Sequence, residues 1–403
     1  MNIDQRHRAQ AQLGTLTGEL ALPPASRSTK WGQSLAKGSP GIALLHIERA
    51  AIGLGDWESV HTWLRTTMRA HVWSAPGTGL FFGAPAVAFA VHTATCGPGQ
   101  YPEALAALDA TTARMTLQRL DAAHARIDRG ERPIFAEYDL IYGLTGIGAL
   151  LRRRDPHGAL LRDVLAYLVR LTEPLPGGEP GWWTDVAPTG DLSPHYPAGH
   201  GNLGIAHGIT GPLALLALAL RDGIELTGQR EAVGRITTWL DTWQQDDEHG
   251  TWWPEAVTPA EVRHGRPRQA KPLRPSWCYG TPGIARAQQL VALATGDADR
   301  QEKAELAMLA ALNDPNQTGQ FGDASLCHGT TGALLTAHRI AADAASEHRG
   351  AALLFAAGRL ADQEPAPGEA GLLEGSAGIA LALHAAAREQ LPVSGWDACL
   401  LLT

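Results

Sequence analysis

The stretch GTPGIARAQQL at residues 280–290 begins with two glycines three positions apart and continues as a largely apolar run. The same pattern recurs along the chain, although one copy has alanine in place of its second glycine. The seven copies are GSPGIALL at 38–45, GAPAVAFA at 83–90, GLTGIGALL at 143–151, GITGPLALLAL at 208–218, GTPGIARAQQL at 280–290, GTTGALLTAHRI at 329–340 and GSAGIALALHAA at 375–386. Such a repeat indicates the architecture of the chain, because each copy predicts one supersecondary unit.

Each copy predicts a tight turn followed by a buried helix. Runs rich in Ala and Leu are typical of helices buried on most sides, and Gly with Ser, Thr or Pro suits a helix start. The first glycines lie 45 to 72 residues apart, which leaves room for a second helix in each repeat. Two such partner helices are predicted in PHGALLRDVLAYLVRLT at 156–172 and GQREAVGRITTWLDTWQQ at 228–245. The chain is therefore predicted to be all-α, built from seven helical hairpins.

Two arrangements of seven hairpins are compatible with the residues alone. One is an α/α toroid, in which seven inner helices are surrounded by seven outer helices, and the other is an open solenoid. A solenoid usually keeps a regular period. The spacing here varies from 45 to 72 residues, which variable loops at one end of a ring explain better. The toroid is therefore favoured.

Two long segments, 173–204 and 246–277, interrupt the repeats and are rich in Pro and Gly. Each contains a tryptophan pair, Trp182 with Trp183 and Trp252 with Trp253. Each leads into a glycine turn, so both are predicted to lie over the same end of the ring. Loops of this length are commonly functional.

Composition narrows the class of protein. The net charge of −8 gives no indication of nucleic-acid binding, although RHGRPRQAKPLRP at 263–275 is basic and suits an acidic partner. Four cysteines do not make a disulfide framework, and the polar N-terminus lacks a signal peptide. No apolar run reaches the roughly 18–20 residues of a membrane helix. We therefore expect a cytoplasmic protein with one domain over residues 1–403.

Two of the four cysteines occupy equivalent positions in two repeats. Cys278 in SWCYG and Cys327 in LCHG each lie two residues before the first glycine of a turn, and His328 follows Cys327. Thiolate and imidazole are favoured zinc ligands, and three protein ligands leave one position open, as in catalytic zinc sites. The alternative is that both thiols only pack at the start of a helix.

Further polar residues lie at other turns. His207 immediately precedes Gly208, Asp139 lies four residues before Gly143, and Arg274 lies four residues before Cys278. A histidine titrates near neutral pH and suits acid–base catalysis. A lone histidine at a turn is also commonly structural, and the sequence leaves both roles open.

Five motifs together resemble the lanthionine synthetase C-like family, the lanthipeptide cyclases. They are YDLIYGLTGIG, NLGIAHGITGP, WCYGTPGIA, CHGTTG and LLEGSAGIALAL. The resemblance extends over essentially the whole chain and implies an α/α toroid with Zn²⁺ at one mouth. The GAPA turn departs from the pattern. Nothing similar to a dehydratase or kinase-like domain precedes the repeats, so the chain resembles a stand-alone cyclase.

The resemblance also implies a reaction. Family members add a peptide cysteine sulfur to dehydroalanine or dehydrobutyrine in a dehydrated precursor peptide, which has a leader and a core, and so form lanthionine or methyllanthionine. Zinc ligands Cys278, Cys327 and His328 would leave a position for the substrate sulfur. The implied catalytic set is His207 as acid–base residue, Asp139 to orient it, Arg274 to steady Cys278 or the enolate, and Tyr279 as a hydrogen-bonding residue.

Partners and alternatives follow from the same resemblance. A separate dehydratase and an exporter would work with the cyclase, and the two tryptophan-bearing loops would either bind the peptide or simply anchor themselves. One alternative is a zinc-containing peptide- or glutathione-binding protein without cyclase activity. Another is a prenyltransferase-like enzyme that alkylates zinc-bound thiols, although that family's zinc set usually includes a carboxylate.

Overall fold

A computed structural model describes residues 3–23, 32–69, 71–75, 77–98, 101–362 and 369–403. Helices dominate these residues. In chain order they are α1 (Ile3–Glu19), α2 (Ser39–Ala51), α3 (Trp57–Thr67), α4 (Ala84–Thr93), α5 (Pro102–Asp128), α6 (Phe135–Tyr138), α7 (Leu144–Arg154), α8 (Ala159–Leu171), α9 (Thr210–Arg221), α10 (Gln229–Trp243), α11 (Pro259–His264), α12 (Thr281–Thr295), α13 (Ala298–Asn313), α14 (Pro315–Thr318), α15 (Thr330–Ala342), α16 (Glu347–Gly358) and α17 (Ser376–Arg388). Within the described ranges, no helix is both long enough and apolar enough to cross a membrane.

The predicted glycine turns each open a helix, which confirms the seven repeats. Helices α2, α4, α7, α9, α12, α15 and α17 start at these turns, and most of their residues are buried. The first glycine of the turn is the N-cap residue in every case except α9, which begins two residues after Gly208. These helices are the predicted inner members of the hairpins.

The second glycine of a turn is required because backbone lies against it. A Cβ atom on Gly283 would lie 2.3 Å from the carbonyl oxygen of Trp277, and one on Gly332 would lie 2.0 Å from that of Leu326. In both turns the oxygen belongs to the residue six positions earlier. A side chain at this position would therefore collide with the chain that enters the turn.

The two partner helices predicted from amphipathic patterns are present. The segment 156–172 contains α8, and the segment 228–245 contains α10. Helix α8 packs against α7 and α10 packs against α9, so each pair forms a hairpin. On α8 the residues Leu161, Val164, Leu165 and Leu168 are buried, as expected for one apolar face.

The chain forms two compact units. The first unit comprises residues 1–113, 321–399 and 403. In it α2 packs against α3 and α4, α15 packs against α16, and α17 contacts α15, α2 and α1. The second unit comprises residues 114–320 and 400–402. In it α9 lies between α7 and α12, and α13 packs against α12. The single domain expected over residues 1–403 stays a prediction.

Backbone hydrogen bonds join the turns of the second unit. The Leu140 N–H donates to the Ala206 carbonyl at 3.1 Å, and the Ile205 N–H donates to the Cys278 carbonyl at 3.1 Å. The turns that precede α7, α9 and α12 are therefore held side by side. Because the turns carry Asp139, His207 and Cys278, this arrangement positions their side chains.

The two long segments of the second unit pair with each other. Strand β1 (Gly201–Asn202) is antiparallel to β4 (Ala256–Val257), while β2 (Gln245–Asp247) and β3 (Gly250–Trp252) form a hairpin. All four tryptophans of the two pairs are at most 4% exposed. Burial of this extent favours the expectation that these tryptophans anchor their own loops.

Candidate functional site

Asp139 is a fully buried carboxylate at the turn that precedes α7. Its Oδ1 atom accepts hydrogen bonds from the backbone N–H groups of Tyr142 and Gly143, at 2.6 and 2.8 Å. Its Oδ2 atom lies 2.6 Å from Nδ1 of His207. One oxygen therefore fixes the turn, and the other is available to the imidazole.

His207 is oriented by that carboxylate. An ionised carboxylate only accepts hydrogen bonds, so Nδ1 of His207 carries the hydrogen and Nε2 is the atom available for proton transfer. The His207 side chain is 18% exposed, and Nε2 has no hydrogen-bond partner among the described residues. The imidazole is thus held in one tautomer, and its second ring nitrogen is not hydrogen-bonded to a described residue.

Aromatic rings surround the imidazole of His207. The Tyr142 ring stacks on it with centroids 5.8 Å apart, and the Phe135 ring meets it edge to face at 6.1 Å. Tyr279 lies on a further side at 6.5 Å. These rings limit the positions that the imidazole can adopt.

Two arginines on α5 support the segment that carries Asp139. Arg119 donates to the carbonyl oxygens of Ala136 and Tyr142, one on each side of Asp139. Arg126 pairs with Glu137, the second residue before Asp139, and the N···O distance is 2.6 Å. Neither arginine is predicted from the sequence, because nothing in the α5 pattern distinguishes them from other polar residues on that helix.

Tyr279 follows Cys278 and hydrogen-bonds to a residue from β1. Nδ2 of Asn202 donates to the Tyr279 hydroxyl oxygen at 3.0 Å, and Oδ1 of Asn202 accepts from the Gly204 N–H at 2.9 Å. Burial raises the pKa of the Tyr279 phenol above its ordinary value. The hydroxyl therefore keeps its proton at neutral pH and can donate it in a hydrogen bond. Asn202 was not predicted from the sequence.

Cys278 is 5% exposed, and its Sγ atom lies 3.7 Å from the Ser276 hydroxyl. Arg274 does not hydrogen-bond through its side chain to any described residue. Burial raises the pKa of the Glu255 carboxyl, and the positive charge of Arg274 opposes that rise. The expected contact of Arg274 with Cys278 is thus not among the hydrogen bonds of the second unit.

Cys327 and His328 lie at the turn before α15 in the first unit. The Cys327 N–H donates to the Leu373 carbonyl at 2.8 Å, which fixes the turn against its neighbour. Nε2 of His328 lies 3.1 Å from Oδ2 of Asp323, and Oδ1 of Asp323 accepts from the Ser325 N–H at 2.7 Å. With Nε2 on the carboxylate, Nδ1 of His328 is the atom free to bind a metal.

The cysteine and histidine side chains considered as metal ligands among the described residues are Cys278 in the second unit and Cys327 and His328 in the first. Two thiolates and one imidazole are soft and borderline donors, which fit Zn²⁺ better than Mg²⁺ or Ca²⁺. The donor set also lacks the carboxylate expected for a prenyltransferase-like site.

Comparison with known proteins agrees with these features. Residues 29–401 match the family model "Lanthionine synthetase C-like protein". A solved structure of "Nisin cyclase" superposes with a TM-score of 0.76, at 19% identity, over 100% of this chain and 98% of that one. This likeness confirms the predicted fold class, an all-α α/α toroid.

A curated relative is the "Nisin biosynthesis protein NisC" of Lactococcus lactis subsp. lactis, which is 26% identical over 200 residues. That alignment spans 49% of this chain and about half, 47%, of the relative's length. Since the family model extends over nearly the whole sequence, the chain belongs to the lanthionine synthetase C-like family.

Proposed function

We propose that the protein is a zinc-dependent lanthipeptide cyclase. It adds cysteine thiolates of a dehydrated precursor peptide to dehydroalanine or dehydrobutyrine and so forms thioether rings. The observation that carries the proposal is the Asp139–His207 pair, in which Nδ1 is bonded at 2.6 Å and Nε2 is available. This pair lies in turns that are bonded to the turn of Cys278. An acid–base group beside a thiol-binding centre is what this addition requires.

Cys278, Cys327 and His328 would hold the zinc ion. When bound, the ion lowers the pKa of a substrate thiol that joins it, so that the sulfur is a thiolate at neutral pH. Asp323 holds His328 through Nε2 and leaves Nδ1 for the metal. The donor chemistry and this orientation both support zinc as the cofactor.

His207 supplies the proton that the addition needs. A carbon–sulfur bond forms at the β-carbon of the dehydro residue, and the electron pair of the broken π bond moves to the α-carbon and its carbonyl as an enolate. Nε2 of the neutral His207 imidazole takes up the proton released by the substrate thiol and then delivers it to the α-carbon. The reaction is an isomerisation overall, so no oxidant or reductant is consumed.

Asp139 and Tyr279 assist His207 in different ways. Asp139 keeps the proton of the neutral imidazole on Nδ1 and stabilises the imidazolium when Nε2 is also protonated. The Tyr279 hydroxyl is fixed by Asn202 and stays protonated, so it can donate a hydrogen bond to the enolate oxygen. Arg274 would assist by its positive charge alone.

The substrate chemistry also defines the partners. Dehydroalanine and dehydrobutyrine arise by loss of water from serine and threonine, so a dehydratase must act first on the same peptide. The cyclised peptide would then pass to an exporter. The dehydratase is proposed from the reaction and the exporter from the family resemblance, and the peptide itself is the partner that the Asp139–His207 site supports.

The test uses a synthetic peptide with one dehydroalanine and one cysteine separated by three residues. Cyclisation leaves the mass unchanged and removes the thiol. Iodoacetamide labelling followed by mass spectrometry therefore measures the fraction of peptide that has cyclised. We expect the zinc-loaded protein to abolish labelling and the chelator-treated protein to leave it. Tight peptide binding with the thiol still labelled would instead identify a binding protein without cyclase activity.

Replacing Tyr279 by phenylalanine is expected to slow cyclisation about tenfold, since one hydrogen bond to the enolate is lost. Because the hydroxyl acts on the reaction and not on the metal, the zinc content should stay that of the unaltered protein. The same labelling assay gives the rate, and atomic absorption gives the metal. An unchanged rate would remove Tyr279 from the mechanism.

Replacing Asp323 by asparagine is expected to weaken zinc binding about tenfold. Asparagine retains an oxygen for the Ser325 N–H but loses the negative charge that orients His328. Competition with a chromogenic chelator measures the affinity. Asp299→Asn, an exposed acid on α13, is the matched control. Equal affinities in the two variants would show that Asp323 does not support the metal ligand.

A further inference from the structure

A second concave surface lies in the second unit, on residues that the proposed reaction does not use. It is a groove of about 740 Å³ between the Gly234–Thr242 face of α10, the Pro259–Arg263 part of α11 and the segment 172–183. We call this surface the α10 groove. None of Asp139, His207 and Cys278 lines it.

The floor of the α10 groove is apolar. It includes Trp239 on α10, Trp182 and Val262, and the Val262 side chain is 46% exposed. The Trp182 and Trp239 rings meet edge to face at 6.0 Å, and neither indole N–H has a hydrogen-bond partner among the described residues. An apolar floor of this kind suits a large apolar side chain of a bound peptide.

The wall of the α10 groove is positively charged. Arg235 and Arg263 both line it, and neither forms an ion pair with a described residue. Arg235 donates only to the Thr172 hydroxyl, at 2.8 and 3.0 Å. The carboxylate in the lining, Glu179, is neutralised by Arg132 at 2.7 Å. The groove therefore has two available cations and no available anion.

The positive charge continues along the chain beyond α11. Arg266, Arg268 and Lys271 are exposed and have no ion-pair partner among the described residues. Between Val262 and Leu273 the chain carries no acidic residue. This basic segment is the one that the sequence analysis assigned to an acidic partner, and it leads out of the α10 groove.

We propose that the α10 groove binds an acidic segment of the peptide substrate. Carboxylates of that segment pair with Arg235 and Arg263, and a large apolar side chain packs against Trp239 and Val262. The identity of the peptide as substrate rests on the proposed function, while the groove and its charges do not. A second contact of this kind keeps the peptide bound while one pair of reacting residues replaces another. The effective concentration of those residues at the catalytic residues is therefore raised.

The direct test is binding of a fluorescein-labelled hexapeptide of alternating aspartate and leucine, measured by anisotropy at low salt. The peptide contains no cysteine or dehydro residue, and the protein is first stripped of metal. We expect saturable binding that weakens with salt. Peptides with lysine for aspartate, or serine for leucine, should bind at least about tenfold more weakly.

A steric variant blocks the groove without loss of fold. A Cβ atom on Gly234 would meet no other atom within 4 Å, so Gly234→Leu places a side chain over the groove and also favours the helix. We expect about tenfold weaker peptide binding, with a melting temperature that is unchanged or higher. Gly14→Leu is the matched control, since Gly14 lies on α1 and is equally open.

A charge variant tests the cationic wall. Arg263→Glu should weaken binding of the aspartate peptide about tenfold and relieve the discrimination against the lysine peptide. Arg162→Glu makes the same change at an exposed arginine on α8 that has no ion-pair partner among the described residues, and it should have no effect. Equal weakening by both variants would overturn the inference.

Three other results would also overturn the proposal. One is that the protein cyclises the dehydroalanine peptide while no hexapeptide binds, in which case the groove inference alone fails. Another is that Arg263→Glu abolishes self-association in sedimentation without affecting the hexapeptide, which would make the groove an interface between copies. The third is that single-stranded oligonucleotide binds more tightly than the hexapeptide. Binding of the hexapeptide without any cyclisation would instead support the groove and refute the proposed activity.

Discussion

Cys278→Ala is expected to lose zinc and ring formation together. In the proposed site Cys278 would supply one of two thiolates, and a site left with Cys327 and His328 should bind zinc at least about a hundredfold more weakly. Without the ion, a substrate thiol with a pKa near 8.5 is mostly protonated at neutral pH. Zinc content by atomic absorption and thiol labelling of the dehydroalanine peptide are measured on the same sample.

Cys399→Ala is the matched control for this loss. Cys399 is fully buried and belongs to no metal-binding group of described residues, so its replacement tests general damage from removing a buried thiol. We expect the control to retain zinc and activity, and Cys327→Ala to behave as Cys278→Ala does. A Cys278→Ala protein that retains stoichiometric zinc, or cyclises at the original rate, would contradict the assignment of this ligand.

His207→Ala is expected to keep zinc and to cyclise about a hundredfold to ten-thousandfold more slowly, since general acid–base catalysis contributes that range. The imidazole is not among the proposed ligands, so metal and fold should be preserved. Asp139→Asn should also slow the reaction, because an amide can donate to Nδ1 and so favour the unproductive tautomer. Rates come from the labelling assay and zinc from atomic absorption.

The control for His207→Ala is His195→Ala, which removes an exposed histidine of the same unit. It should leave both the rate and the metal unchanged. If His207→Ala lost zinc together with activity, the residue would be structural. If it retained the full rate, the proton would come from another group, and the Asp139–His207 pair would serve only to hold the turns together.

The sequence predicted the fold well because its signal is local. Each turn can be recognised in the sequence by a glycine. Glycine is needed there because a carbonyl oxygen leaves no room for a side chain, as at Gly283 and Gly332. Each inner helix follows directly in the chain, and α8 and α10 carry their own amphipathic pattern. Seven copies of one short pattern therefore determined the helical hairpins.

The candidate site was predicted only where its residues are part of those turns. His207 immediately precedes a turn glycine, and Cys278 and Cys327 each lie two residues before one, so their positions in the repeat revealed them. Asn202 and Arg119 act from a short strand and from the middle of α5, and their contacts join residues 77 and 23 positions apart along the chain. No local pattern carries such pairings.

The irregular loops were the least predictable part. The tryptophan pairs suggested either a rim that binds the peptide or anchors of the loops, and only the packing of Trp182 and Trp253 distinguishes the two. The basic stretch at 263–275 predicted a positively charged surface but not where in the fold that surface lies. Its position next to an open face of α10 depends on how two loops pair through β1 and β4, which the sequence does not encode locally.

Zinc-edge X-ray absorption of the purified protein is the decisive experiment for the proposed metal site, because it counts sulfur atoms around the metal. The account predicts two sulfurs in the protein alone and a third after addition of a cysteine-containing peptide that has no dehydro residue. A sulfur count that stays the same when the peptide is added, or a fourth ligand from the protein that no thiol displaces, would contradict it.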